Sequence, residues 1–447
     1  TDDSNEKENS MYGMFSFGWK DMIFVDVTAR NDWNSTVALK YSSFFYPSVS
    51  SSFILSDLFK IKGPINYLKY RFSFAKVGNG GTTGWTNRYY EQSEFSSSAT
   101  VSKTLFNPDI KPESTTSWET GFEALLFKKR LSLDFTVYQQ STKNQIFEVP
   151  TNITTGYSKK VVNGGEIENR GIEISASYSP IKNENFQWKM TGTWSKNENK
   201  VKSLVEGVEG DQMIIGQSGT AYQIAKIGGP LTALYGENFS RNENGQIIYD
   251  AKTGLPVKSG KLEYIGNATP DWRAGFTNEF KYKSFRFSFT LDGQYGGVVY
   301  SQTHHKMMEQ GKLAGTLPGR DVGYIIGDGV VKNADGTYTP NATKVDVATY
   351  YGDYYRRANL ESNSFEASYI KLRDVSFTFD FPKKLINKTG LDALSLTLYG
   401  RDLFTISDFP LYDPETASLN GNVYVPGVEM GQMPSTASFG LTLKAAL

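Results

Sequence analysis

The feature that most constrains this chain is an alternation of apolar and polar residues that runs from one end to the other. In GIEISASYSPIKNENFQW, Ile172, Ile174, Ala176 and Tyr178 fall on one face of an extended chain. Glu173, Ser175, Ser177 and Ser179 fall on the other. The same period recurs at 68–74, 118–126, 131–137, 186–194, 285–291, 394–398 and 439–447. Many of these segments reach about ten residues, where soluble strands average about 5–6 and a tilted membrane strand needs about 9–11. The pattern predicts a sheet that meets an apolar medium on one side and water on the other.

The connections sharpen this. Some are very short, at Lys128, Pro180 and Tyr282. Others are long, about 79–114, 141–164, 199–220, 241–268, 297–364 and 404–433, and the two kinds alternate. An outer-membrane barrel sorts its loops this way, with short periplasmic turns and long extracellular loops. The expected strands number about 15: roughly 11–19, 21–31, 44–56, 66–77, 115–127, 131–140, 165–179, 186–198, 221–228, 231–240, 270–283, 285–297, 366–381, 393–404 and 435–447. The pair 221–228 and 231–240 is split only by Gly-Gly-Pro. With the short turns periplasmic, the C-terminus falls in the periplasm. In lipid every backbone polar group must be paired, so the sheet must close. An odd strand count then requires strands from elsewhere. Aromatics near short turns (Tyr178, Phe186, Trp188, Tyr282, Phe285) and after long loops (Trp118, Trp272) suit two interfacial girdles.

Composition excludes several alternatives. Lys+Arg and Asp+Glu are both 47, which gives no basic excess for nucleic acid. There are no cysteines for disulfides or thiolate metal sites. No run of 18 apolar residues exists to form a membrane helix. No linker divides the chain, so residues 1–447 read as a single partial all-β barrel domain. The polar start, TDDSNEKENS, reads as that of a fragment.

Several stretches resemble the SusC/RagA type of TonB-dependent outer-membrane transporter. They include TARNDWNSTVA, LKYRFSFAKVGN, NGGEIENRGIEISASYSP, GNATPDWRAGFTNEFKYKSFRFSFTLDGQYGG and ASYIKLRDVSFTFDFP, in family order. The resemblance implies a 22-stranded barrel with an N-terminal plug and a TonB box, of which this chain is the C-terminal part without either. It implies a SusD-like surface lipoprotein as lid, energy from TonB–ExbB–ExbD, and two transporter–lid pairs per assembly. The substrate would be an oligosaccharide or oligopeptide, imported across the outer membrane of a Gram-negative bacterium.

Candidate chemistry follows from position. Glu119, Glu123, Asp134, Glu173, Arg273, Glu279, Arg286, Asp292 and Arg401 read as the wet lumen wall facing a plug. Paired carboxylates there are hydrated wall residues rather than a glycosidase pair, and no catalytic residues are expected. In the long loops, Trp85, Tyr89, Tyr90, Tyr350, Tyr351, Tyr354, Tyr355, Arg356 and Arg357 suit substrate or lid contact: flat rings pack on sugars and apolar side chains, and Arg forks onto carboxylates. His304 and His305, on an extended chain, would point apart and not share a metal. No cofactor is expected; NENGQIIYDAKTG and KNADGTYT offer oxygen ligands for calcium, although tight turns account for them equally well. The competing readings are a passive porin, a siderophore-type receptor barrel and a secreted glycan-binding β protein.

Overall fold

The computed structural model describes residues 5–92, 95, 98–205, 210–388, 390–420 and 423–446. Its main body is a 14-stranded sheet in which thirteen strands follow one another and the fourteenth, Thr104–Leu105, adds in parallel at the side. The thirteen are β1 (Glu8–Trp19), β2 (Ile23–Asn34), β3 (Ser43–Ile54), β4 (Ile65–Asn79), β5 (Glu113–Leu126), β6 (Leu131–Pro150) and β7 (Lys159–Lys182). Then come β8 (Phe186–Ser203), β9 (Trp272–Tyr282), β10 (Phe285–Tyr295), β11 (Tyr369–Asp380), β12 (Ala393–Ser407) and β13 (Ser438–Ala446). Every consecutive pair is antiparallel.

The register carries the binary pattern across the whole sheet. One row of partners reads Tyr70, Phe122, Phe135, Ile174, Trp194, Ala274, Gly293, Ile370, Ile406. The adjacent row reads Lys69, Glu123, Asp134, Ser175, Thr193, Gly275, Asp292, Lys371. Side chains alternate faces along a strand, so the first row faces out and the second faces in. The outward residues are exposed, among them Phe122 44%, Phe377 45% and Leu443 61%. Soluble monomers rarely expose an apolar surface of this extent, which marks a membrane or protein contact. On β9 the outward apolar positions run from Trp272 to Tyr282; ten residues tilted in a barrel wall climb about 25 Å, the height of a membrane band. Trp272 stacks on Tyr295 at one end of the wall, and Trp188 on Phe280 toward the other.

Two expected strands do not belong to the wall. Ala221–Lys226 and Ala233–Phe239 lie in a separate four-stranded sheet with Gln212–Ser218 and Lys258–Asn267. They are strands, but successive residues Gln223, Ile224 and Ala225 are all buried, so both faces are covered by protein rather than by lipid and lumen. The expected loops 199–220 and 241–268 are therefore parts of one excursion, 204–271. The expected loop 141–164 is mostly strand, because β6 and β7 continue as a tall hairpin closed by 151–158. Since two strands drop out together, the alternation of short and long connections is unchanged.

Three of the long connections, 204–271, 296–368 and 408–437, leave the same end of the wall and pack on each other. Their shared core is Ala221, Leu234, Tyr300, Leu360, Val425 and Val428. A second core joins Tyr249 to Val345, Tyr350 and Tyr351. A third, smaller one unites Val37, Ile110 and Val161 with Phe44, Trp85 and Ile146 over the first strands.

Candidate functional site

The inward face of the wall is a field of hydroxyls and paired charges. Cross-strand hydroxyl pairs join Ser177 to Thr191 (3.1 Å), Thr277 to Thr290 (3.0 Å), Ser288 to Ser376 (2.8 Å) and Thr378 to Thr397 (2.8 Å). All nine wall residues named from the sequence share this face by register. Glu123 meets Lys69 at 3.7 Å, Glu279 meets Lys189 at 3.3 Å, Arg286 meets Asp380 at 2.6 Å, and Arg401 meets Asp374 at 3.6 Å. Arg71 forks onto Asp134 with two 2.7 Å bonds and approaches Glu119 at 3.9 Å. The fork crosses the middle strand over Gly121, where a Cβ would sit 3.2 Å from the guanidinium. Glu173 is exposed. Each half-exposed pair contributes about 0–1 kcal/mol; together they hold a hydrated, nearly neutral surface.

Near the long-loop end the face becomes a site. Asp292 accepts from Arg373 at 2.6 Å, and Arg373 also donates to Glu415 at 2.6 Å. Lys371, 2% exposed, reaches Asp413 at 2.6 Å and Glu415 at 2.5 Å. The Tyr369 hydroxyl donates to Glu415 at 2.6 Å. Burial alone would raise the Glu415 carboxyl, but the hydrogen bonds from Lys371, Tyr369 and Arg373 outweigh it and hold its pKa at about 2. This network ties the last long connection to β10 and β11. Beside it a cavity of about 530 Å³ opens between wall and loops, lined by Ser195, Asn197, Arg273, Gln294, Thr269 and Glu415. Arg273 has no ion pair among the described residues. Gln294 is 7% exposed; its amide nitrogen donates to the Ala367 carbonyl at 2.7 Å and its oxygen has no partner among the described residues. A buried orphan acceptor beside an unpaired guanidinium suits a polar solute with both donors and acceptors.

The loop aromatics divide. Tyr350 and Tyr351, 7% and 8% exposed, sit inside the second core on the helix Val347–Tyr354. Tyr350 shares a 3.2 Å hydroxyl bond with Tyr249, and Tyr351 donates to the Pro318 carbonyl at 3.2 Å. Tyr354 and Tyr355 pack against the same core, and Arg356 is held by Glu237 (3.3 Å) and Asp353 (3.6 Å). Trp85 packs in the third core. These residues hold the loops together; Tyr350 and Tyr351 are buried, and Trp85, Tyr354 and Tyr355 are half-buried. Tyr89 (43% exposed), Tyr90 (64%) and Arg357 stay on the surface. His304 and His305 lie on a helix, Gln302–Glu309, not an extended chain, and both are buried. His304 Nδ1 donates to Asn363 Oδ1 at 3.0 Å and His305 Nδ1 to the Tyr355 carbonyl at 2.6 Å. Asp250 and Asp335 accept from the backbone amides and hydroxyls of Thr253 and Thr337, three and two residues on, as tight turns require.

Sequence reasoning missed the network at 369–373 and the carboxylate Glu429. Tyr369, Lys371 and Arg373 recur at period two, a signal that was available. Glu429 gave none. It is fully buried and accepts from Ser301 Oγ (2.6 Å), Thr303 Oγ1 (2.7 Å), Tyr412 Oη (2.9 Å) and the amides of Thr303 (3.1 Å), Gln432 (3.2 Å) and Gly431. Burial raises its pKa, but the bonds from Ser301, Thr303 and Gly431 pull it below the ordinary value.

Residues 1–403 match the family model described as TonB dependent receptor-like, beta-barrel. The chain belongs to that family. Its members are receptors and transporters rather than enzymes. Among curated relatives, TonB-dependent receptor P3 of Formosa agariphila is 24% identical over 97% of this chain and 45% of its own length. TonB-dependent receptor SusC of Bacteroides thetaiotaomicron is 26% identical over 48% of this chain and 23% of its own. The chain thus spans about half the length of the first of these relatives. Among solved structures, the RagAB peptide transporter matches 98% of this chain and 47% of its own, with a TM-score of 0.74 at 18% identity, a likeness of fold. The SusC/RagA resemblance read from the sequence is borne out by these matches, and the family places the barrel in the Gram-negative outer membrane.

Proposed function

We propose that this chain forms the C-terminal wall and loop cap of an active importer for a large nutrient, an oligosaccharide or oligopeptide. A SusD-like surface lipoprotein binds over the long connections, and TonB–ExbB–ExbD drives release through a plug supplied by the remainder of the protein. The long connections face outward, the C-terminus is periplasmic, and two transporter–lid pairs assemble together. The observation that carries this reading is the union of three long connections into one folded cap over a polar wall. A passive porin has no use for such a cap. The solved RagAB structure carries the name of a peptide transporter, which favours testing peptides first.

Within this reading Arg273, Gln294 and the 530 Å³ cavity receive a polar part of the substrate, and Tyr89, Tyr90 and Arg357 contact substrate or lid. Co-purification from the native host in mild detergent, with mass spectrometry, tests it. Recovery of a SusD-like lipoprotein with bound peptides or sugars is the expected result. A partnerless barrel that stays stable and passes small solutes without TonB would overturn it.

A further inference from the structure

The outward face of β5–β8 changes character along one line. Val137 pairs with Ile172 and Ile172 with Lys196; one step toward the long connections, Trp118 pairs with Gln139, Gln139 with Arg170, and Arg170 with Glu198. Below this line come Phe122, Phe135, Ile174 and Trp194, all apolar. A groove of about 270 Å³ opens at the change. Trp118, Val137 and Ile172 form its apolar floor; Arg170, Lys196 and Glu198 form its ionic rim. Arg170 holds Glu198 at 2.8 Å, whereas Lys196 has no ion pair among the described residues. The rim thus carries one uncompensated positive charge at the edge of the hydrocarbon band.

We infer that this groove binds a phosphorylated bilayer lipid, with its phosphate on Lys196 and Arg170 and the start of an acyl chain on Trp118, Val137 and Ile172. The inference rests on the outward face being embedded in a membrane. A lysine at that depth extends its stem along apolar surface and its ammonium toward the headgroups. Arginine offers a phosphate two parallel donors. Tryptophan belongs at the interface. A free phosphate would use the rim alone; the floor continues the lipid-facing band and suits a chain. A second outward groove, on β9–β12, supplies an internal contrast. It is lined by Trp272, Tyr295, Ile370 and Ile406, ends on Asp408 and has no cation in its lining.

The test uses the full-length protein, purified in mild detergent and stripped of lipid, with native mass spectrometry as readout. The probes are dimyristoyl phosphatidic acid, dimyristoyl glycerol and inorganic phosphate. The phosphatidic acid binds roughly tenfold more tightly than the glycerol, given two basic side chains at a membrane surface, one of them shared with a carboxylate. Arg170→Ala with Lys196→Ala removes that preference. Glu198→Gln strengthens it severalfold, an opposite sign that a merely structural role would not produce. Ile172→Trp fills the floor and weakens both lipids. Equal binding of the two lipids, an undiminished preference in the double variant, or inorganic phosphate binding as tightly as the lipid would overturn the inference. None of these outcomes touches the import reading, which is decided by co-purification.

Discussion

The wall and the cap of this molecule are built on opposite rules. In the wall, a residue's surroundings follow from whether its position along the strand is odd or even. Glu173 and Ile174 are adjacent, yet one belongs to a row of charges and hydroxyls and the other to a row of rings and branched chains. In the cap, surroundings follow from contacts between distant segments: Ser218 bonds Ser418 at 3.2 Å, and Gln223 donates to the Pro426 carbonyl. The wall has its apolar residues outside and relies on a solvent of lipid. The cap has its apolar residues inside, as a soluble domain does. The difference teaches that one chain can encode two folding media, separated at the ends of its strands.

The strongest test of the contrast lies in the cap. Glu429→Ala removes the acceptor shared by six side-chain and backbone donors of the cap at a fully buried position, at a cost of about 3–5 kcal/mol. The expected outcome is rapid limited proteolysis within 408–437 while the wall stays resistant. If wall and cap unfold together, they are not separate units. Next is a pair of substitutions one residue apart. Ile174→Lys puts a charge near the middle of the band and destabilises the barrel by about 2–4 kcal/mol, whereas Glu173→Lys changes it by less than about 1 kcal/mol. Urea unfolding in lipid vesicles reads both, and equal effects would sink the assignment of faces.

A smaller and reversible effect concerns Glu415. Its folded pKa of about 2 lies below the ordinary 4.5, so the anion supports docking of the last connection above pH 4.5. That support is lost as the pH falls toward 2. Proteolysis of 408–437 across this window increases in the native protein and loses its pH dependence in Glu415→Gln. The smallest stability change belongs to Tyr90→Ala, within about 0.5 kcal/mol because the ring is exposed; under the import reading this variant loses affinity for substrate or lid instead.

These tests follow the line between what the sequence discloses and what it hides. Strand parity puts Glu119, Asp134, Glu279, Arg286 and Arg401 on one face, as the register does, because period-two chemistry is local. It could not distinguish Ala221–Lys226 from a wall strand, since a strand covered on both sides keeps its propensity, and two added strands leave the up-and-down order intact. The tyrosines of TYYGDYY looked like a ligand surface. Their spacing is helical instead: Tyr350 stacks on Tyr354 and Tyr351 on Tyr355, at 5.5 and 6.2 Å. The docking of Asp413 and Glu415 on Lys371 and Arg373 joins segments some forty residues apart in the chain, which no local pattern reveals.

The guanidinium of Arg71, lying over Gly121 to grip Asp134, acts on the wall as a strap across three staves. A one-residue slide of β5 would carry Glu119 and Glu123 into the bilayer and Phe122 into the lumen. The strap resists that slide in either direction, because either step would bring the side chain of Thr120 or Phe122 under the guanidinium in place of Gly121. Glycine is what lets it lie flat. Any pulling force exerted inside such a barrel would meet a wall braced against slippage at this point.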